Sequence, residues 1–552
     1  MATEKGVNEK SLSFLFDYHQ RTKHHFHRTA PGPGFLDWAT QPEPFRFYHG
    51  APLHRFTRRE SDARETPGYD ALYKGLSAEP VNAETIADLF YHSFALSAWK
   101  EIPGARWALR CNPSSGNLHP TEVYLLTGAV EGLNQVSTLY HYQPYQHGLE
   151  IRGELPDLDW PDLIAPLPES TFLIGFTSIY WRESWKYGER ALRYCLLDLG
   201  HALATLAYGA AVLGWRCALL PVVGSKKLAP LLGVDGQNGP EAEHADCLAA
   251  VFPGGEVPWS AVAQWRLEER TVREINRAVR SDPPNRLSSS HRPWPIIEKA
   301  AGAMACERIE IIFPGGEERH PQPPPVDTLA RSVGARWLIR QRRSVQMMDA
   351  TSTMARVDFI RLMARLGRGG LPVASLAREP AVHLGFYVHR VEGMTPGLYF
   401  LARSTGGLDL FRRTTTEAWR WRKVDGFPDD LSFYWLREGD AREVAKAVSC
   451  HQGIASGGAF AVSMLAEFEP RLEESVWEYA RLHMEAGALG QLLYLESEAA
   501  GLCGTGIGCF FDDPVHELFG LPDRTFQVIY HFTAGGGLED QRLSSLEAYH
   551  HL

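Results

Sequence analysis

The run LLDLGHALATLAYGAAVLG, residues 196–214, is apolar nearly all round. A helix without a polar face must be buried. The run therefore predicts a core helix at an interface between two parts of the chain. A second stretch echoes it. Residues 198–217 read DLGHALATLAYGAAVLGWRC, and residues 485–504 read EAGALGQLLYLESEAAGLCG. Both start acidic-apolar-Gly, continue with helical apolar spacing and end at a glycine. Gly200 pairs with Gly487 and Gly214 with Gly501, both at an offset of 287. Further on, LLGVD (231–235) meets LFGLP (518–522), and Gly233 and Gly520 keep the same 287. Two unrelated helices with glycine C-caps would not preserve that later match. The pattern predicts a duplicated chain whose two halves pack as a pseudo-dimer.

Between the halves the composition shifts. SDPPNRLSSSHRPWP and RHPQPPP are rich in turn and extended residues. They suggest a first domain over 1–265, a linker over 266–330 and a second domain over 331–552. Within the linker, ACERIEIIFPGG alternates apolar and polar residues and predicts a strand. In the first domain a tight polar turn, Pro113-Ser114-Ser115-Gly116-Asn117, precedes a strand-like run from Val123 to Leu126. Such a turn exposes N–H groups and hydroxyls that suit a ligand.

Composition narrows the function classes. A chain of 552 residues is too long for one ordinary core. No apolar run suggests a membrane span, and MATEKGVNEKSLSF lacks the apolar centre of a signal peptide. The expectation is a cytoplasmic protein without a membrane partner. A net charge of −10 argues against nucleic acid. The eight cysteines form no CxxC pair. That excludes a zinc cluster or disulfide framework, predicts no metal, and leaves most cysteines as small buried hydrophobes.

Three stretches carry chemistry. In RQRRSVQMMD, Arg342, Arg343, Ser344 and Gln346 put two guanidiniums, a hydroxyl and an amide within reach of a phosphate. In GLCGTGIGCFFDDP, Gly506 and Gly508 around Ile507 would let the backbone approach a planar ligand. Arg542, beyond a Gly-Gly-Gly turn, offers a further phosphate ligand or a surface ion pair. In SWKYGERALRY, Lys186 beside Tyr187 offers an acid/base pair. At the 287 offset the second half has Glu473 and Glu474 instead. The pair thus belongs to one half, as an asymmetric active site requires.

Together with YHQRTKHH near the start, these motifs resemble the FMN-dependent nitroreductase superfamily, and its SagB/ThcOx-type azoline dehydrogenases in particular. The resemblance implies an α+β fold, a central antiparallel sheet flanked by helices in each half. It implies FMN at the interface. Arg342, Arg343, Ser344, Gln346, Gly506, Ile507, Gly508 and Arg542 of the second half would hold it, with Gln452 against the ring. Pro113, Ser114, Ser115 and Asn117 of the first half would complete the site. Gln346 departs from the usual basic residue of the grip, with Arg343 as compensation. The second half lacks a PSSGN turn and the first lacks a GTGIG loop, so one FMN per chain is expected. The implied chemistry is oxidation of an azoline or related peptide-derived heterocycle. Lys186 would accept the proton and Tyr187 orient it. The alternatives are an NAD(P)H-dependent nitro- or quinone reductase and a non-catalytic flavin-binding partner of a biosynthetic complex.

Overall fold

The computed structural model describes residues 8–57, 67–311, 333–368, 370–376 and 378–552. The strands of the first half are β1 (Leu53–Arg55), β2 (Leu96–Ile102), β3 (Ala105–Arg110), β4 (Thr121–Thr127), β5 (Ser137–Gln143), β6 (Gly148–Leu155), β7 (Phe172–Ser178), β8 (Arg216–Val223) and β9 (His244–Phe252). Those of the second half are β10 (Val382–Val388), β11 (Gly397–Ala402), β12 (Arg422–Lys423), β13 (Ser432–Glu438), β14 (Phe460–Glu467), β15 (Cys503–Ile507), β16 (Phe526–Gly535) and β17 (Ser544–Leu546). The helices that matter here are α1 (Glu9–Arg21), α2 (Tyr180–Tyr187), α3 (Ala191–Val212), α4 (Ser225–Leu232), α5 (Ala335–Gln341), α6 (Glu478–Ala499) and α7 (Asp512–Phe519).

Among the described residues there are two antiparallel seven-stranded sheets. Their orders are β1-β6-β5-β4-β7-β9-β8 and β12-β13-β11-β10-β14-β16-β15. Six strands of each sheet follow one topology, β6-β5-β4-β7-β9-β8 matching β13-β11-β10-β14-β16-β15, while the edge strands differ, β1 preceding the others in the chain and β12 lying between β11 and β13. The 287 offset maps the first and last residues of α3 onto those of α6, and of α4 onto α7. The matched glycines do the same local work. Gly233 and Gly520 are left-handed C-caps with φ of 67° and 65°, and Gly214 and Gly501 turn at 71° and 75°. Glycine takes this backbone region without a Cβ penalty.

Helices α3 and α6 lie back to back between the sheets, α3 on β4, β7 and β8, α6 on β10, β15 and β16. They cross at the matched glycines. A Cβ on Gly200 would lie 2.2 Å from Met484 O, and one on Gly487 would lie 2.1 Å from Leu197 O. One hydrophobic cluster runs through both helices and both sheets, as the all-round apolar pattern requires. The helical stretch Tyr180–Val212 is long and apolar enough to cross a membrane by composition, contrary to the sequence expectation. Its apolar window is wholly buried inside this core.

Each half lends the other an arm. The first half's α1 packs on the second: the His19 ring lies 4.4 Å from that of Phe468, and Lys23 Nζ reaches Asp513 at 2.9 Å. In return β17 pairs with β2, and Trp99 Nε1 donates to Ala548 O at 2.9 Å.

The stretch following residue 265 differs from a free linker over its described part. Helices Glu269–Ala278 and Pro295–Ala303 bury Val272, Ile275, Ile297 and Ala300 in the core. Asn285 accepts from Phe47 N at 3.1 Å and donates to Phe45 O at 3.0 Å. The strand expected in ACERIEIIFPGG does not form over residues 305–311. Ile309 and Ile311 are buried, as the alternation suggested, but only Ile309 N bonds the neighbouring β8, at Pro221 O. Proline has no N–H for a ladder, and β8 changes register there. Residues 312–316 of that run and RHPQPPP lie outside the described residues.

Candidate active site

A cavity of about 1880 Å³ opens between the halves. Its wall combines first-half residues 113–119, Lys186 and Tyr187 with second-half residues 342–346, Gln452 and 505–509. Of the residues expected at a site, only Arg542 is not on this wall. Its side chain is 83% exposed and paired with Asp540 at 2.6 Å. The surface ion pair is the reading that fits.

Arg342 and Arg343 follow α5, which ends at Gln341. Arg342 is buried and reaches across to the first half, Nε donating to Cys111 O at 3.3 Å and Nη2 to Arg110 O at 3.0 Å. Its Nη1 has no partner among the described residues. Arg343 donates to Ser97 Oγ and O and to two local carbonyls. Burial and then the Arg342 charge push its guanidinium down to about 10. Neither arginine is ion-paired with a carboxylate among the described residues. Ser344 Oγ and Tyr494 OH share a 2.8 Å hydrogen bond, and Gln346 is exposed on the wall. Two uncompensated cations, a hydroxyl and an amide on one wall fit a phosphate group.

The turn at 113–117 lies on the cavity wall with several of its polar groups engaged by the protein itself. Ser115 N donates to Asp198 Oδ1 and Oδ2 at 3.0 and 3.1 Å, and Ser115 Oγ to Oδ1 at 2.9 Å. Ser114 Oγ accepts from His119 N, and Asn117 Nδ2 donates to Ala108 O. These groups of the turn thus engage α3, β3 and His119, and Pro113 lines the wall. Gly116, at φ 60°, is instead pressed against the Lys-Tyr pair. A Cβ there would meet Tyr187 OH at 2.7 Å and Lys186 Nζ at 3.0 Å.

Lys186 and Tyr187 close α2, and the next residue, Gly188 at φ 55°, turns the chain into α3. Lys186 Nζ stands 5.3 Å from the Tyr187 ring centre, and that ring packs 4.2 Å from Tyr194. Neither Nζ nor the Tyr187 hydroxyl has a hydrogen bond or ion pair among the described residues. Burial, then Glu183, holds the Tyr187 phenol well above its ordinary value, so it stays a donor. Behind the pair are two carboxyls that sequence reasoning missed. Burial pushes Asp198 up to about 7. Burial, then the Asp198 charge, holds Glu183 well above the usual carboxylate range. Neither Glu183 oxygen has a hydrogen bond among the described residues. Helical spacing could have signalled them: Glu183 lies three residues before Lys186, and Asp198 lies inside the repeat.

The glycine loop is close-packed for an internal reason. A Cβ on Gly506 would strike Tyr530 OH at 1.9 Å, and one on Gly508 would strike the Tyr194 ring at 2.2 Å. Gly506 N donates to Tyr494 OH at 2.8 Å. The glycines are needed by the aromatic layer beneath the loop, while Ile507 is buried between the layers. Gln452 Nε2 donates to Ser449 O and Cys509 O, both at 3.0 Å, clipping its own loop to this one.

The buried neighbours His119 and Glu122 are structural. Glu122 accepts from Arg182 and lies 3.0 Å from His141 Nε2. Burial, then Arg110, pulls His119 well below its ordinary value, so it is neutral.

No family model matches this sequence, and no curated protein matches it. Among solved structures, a putative nitroreductase from Anabaena variabilis is similar over 95% of this chain and 99% of its own. The identity is 21% and the TM-score 0.66. A chain of the E. coli microcin synthetase McbBCD complex aligns with 45% of this chain and 94% of its own, at 18% identity and TM-score 0.26. A putative nitroreductase from Ralstonia eutropha aligns with 40% and 96%, at 14% identity and TM-score 0.26. The fold is nitroreductase-like, duplicated within one chain.

Proposed function

We propose that the protein is a cytoplasmic FMN-dependent oxidoreductase, a dehydrogenase of an azoline or related peptide-derived heterocycle, working alone or beside biosynthetic partner proteins. The observation that carries this reading is the composite wall. Arg342 and Arg343, without a carboxylate ion pair among the described residues, come from one half, and the Lys186–Tyr187 pair, without a hydrogen bond or ion pair among those residues, from the other, across a single cavity. The cavity exceeds the ~300–1,000 Å³ of ordinary ligand pockets, which leaves room for a cofactor and a substrate together.

Arg342 and Arg343 bind the phosphate end, with Ser344 and Gln346 as added donors. Bound FMN supplies a two-electron acceptor. Lys186 accepts the acidic ring proton of the substrate at Nζ, and Tyr187 donates its hydroxyl hydrogen bond to a substrate heteroatom. Glu183, kept protonated by burial, leaves Lys186 without a buried counter-ion. Gly116 keeps the turn close while leaving both reactive atoms uncovered.

The test is to purify the protein, release and quantify its flavin, and assay azoline-containing peptides. One FMN per chain with azole formation is the expected result. Rapid flavin bleaching by NADPH with no azoline oxidation would favour the nitro- or quinone reductase. No flavin, even after added FMN, would point to a non-catalytic partner.

A further inference from the structure

The same wall carries a thiol that the flavin reading does not use. Cys509 Sγ lies 2.7 Å from Cys450 Sγ, although 59 residues separate them. A disulfide bond spans ~2.05 Å, so under an ångström of approach would join them. Both cysteines are half-buried. Cys509 lines the cavity beside Gly508, Lys186 and Tyr187, and Cys450 does not. The sequence expectation, that most cysteines are small buried hydrophobes, does not extend to this half-buried pair.

The local structure holds the two sulfurs together. Cys450 and His451 are consecutive non-glycine residues in the left-handed region, at φ 53° and 58°. Such conformations persist only where the surroundings enforce them. Gln452, next in the chain, bonds the Cys509 carbonyl at 3.0 Å. Arg190 Nη2 donates to Gly508 O at 3.4 Å, which sets a guanidinium, itself paired with Asp512 at 3.0 Å, beside the loop that carries Cys509. The close contact of the two thiols holds Cys509 below its ordinary range and Cys450 above. Cys509 faces the cavity and Cys450 does not, so a disulfide that enters meets Cys509 first, with Cys450 behind it.

We propose that Cys450 and Cys509 are a redox-active dithiol that reduces low-molecular-weight disulfides entering the cavity, with Cys509 attacking and Cys450 resolving. The Cys509 thiolate bonds to one sulfur of the incoming disulfide, breaks its S–S bond and releases the first thiolate. Cys450 then loses its proton and attacks Cys509 Sγ, releasing the second thiolate. The substrate disulfide gains two electrons and, after protonation, becomes two thiols. The protein pair loses the same two electrons and becomes a disulfide. The step does not depend on bound flavin.

The test uses the full chain and oxidised glutathione, followed by acid quench, alkylation and peptide mass mapping. Wild type is expected to link Cys450 to Cys509 with loss of two hydrogens, reversed by dithiothreitol. C450S should retain glutathione on Cys509, at least about tenfold faster than any adduct forms at Cys306. C509S should show neither link nor adduct at Cys450. Glutathione taken up at other cysteines while this pair stays free would overturn the proposal. So would a C450S protein with wild-type melting behaviour and no adduct at Cys509. If C450S does not fold, the wild-type map decides alone.

Discussion

Among the described residues, Lys186 Nζ and the Tyr187 hydroxyl have no hydrogen bond or ion pair, which makes them testable one at a time. K186A should keep its flavin and lose turnover by roughly 10²–10⁴-fold, the range for a positioned acid–base group. Flavin content and steady-state rates measured together check it, and normal turnover would remove Lys186 as the proton acceptor. R342A should do the reverse and release flavin during dialysis. A third expectation concerns Asp198. Its folded value of about 7 lies above the ~3.9 of an unfolded aspartate. Between those values the folded state holds a proton that the unfolded state has released, so stability falls as pH rises from about 4 to 7. D198N should flatten that part of the melting-temperature profile, and an unchanged profile would contradict the assignment. At this scale the sequence announced Lys186, Tyr187 and the arginines through residue type and spacing. Helical spacing marked the positions of Glu183 and Asp198 but not their protonation, and nothing local marked the Cys450–Cys509 pair. Their chemistry comes from burial and from neighbours distant in the chain.

The decisive element is the pair of crossed helices. Gly200 and Gly487 let α3 and α6 touch through backbone, and both helices then give side chains to the cavity: Asp198 and His201 from one, Tyr494 from the other. G487A would bring a Cβ to 2.1 Å from Leu197 O, a backbone atom that cannot rotate away. Overpacking of this kind costs ~1–3 kcal/mol. Chemical denaturation should show that loss, together with weaker flavin retention as the helices separate. Wild-type stability in G487A would mean that the helices part without strain. The repeat was legible because glycine is demanded at both copies for the same steric reason. In the PSSGN turn, exposed donors in the sequence do not reveal which acceptor will reach Ser115. Asp198, 83 residues from Ser115, does.

At the scale of the whole molecule, two copies of one six-stranded topology share a cavity that neither lines alone. The arms reinforce the sharing, since α1 lies on the second half and β17 on the first. Residues 8–265 expressed alone should therefore fail to retain FMN, while the intact chain binds one. Equilibrium dialysis of both proteins measures it, and two flavins per intact chain would show that the asymmetry of the halves has no consequence for binding.

By itself the sequence determined the duplication, the buried helices and the residue types that meet on the two-part wall, because helical period, glycine spacing and charge are local properties. Tertiary structure alone decided that Arg542 stays at the surface, that the serines of the turn serve Asp198, that the glycine loop makes room for tyrosines, and that two distant thiols meet. Each of those outcomes depends on which groups the fold brings within a few ångströms, and contact at that range is set by packing across the whole chain.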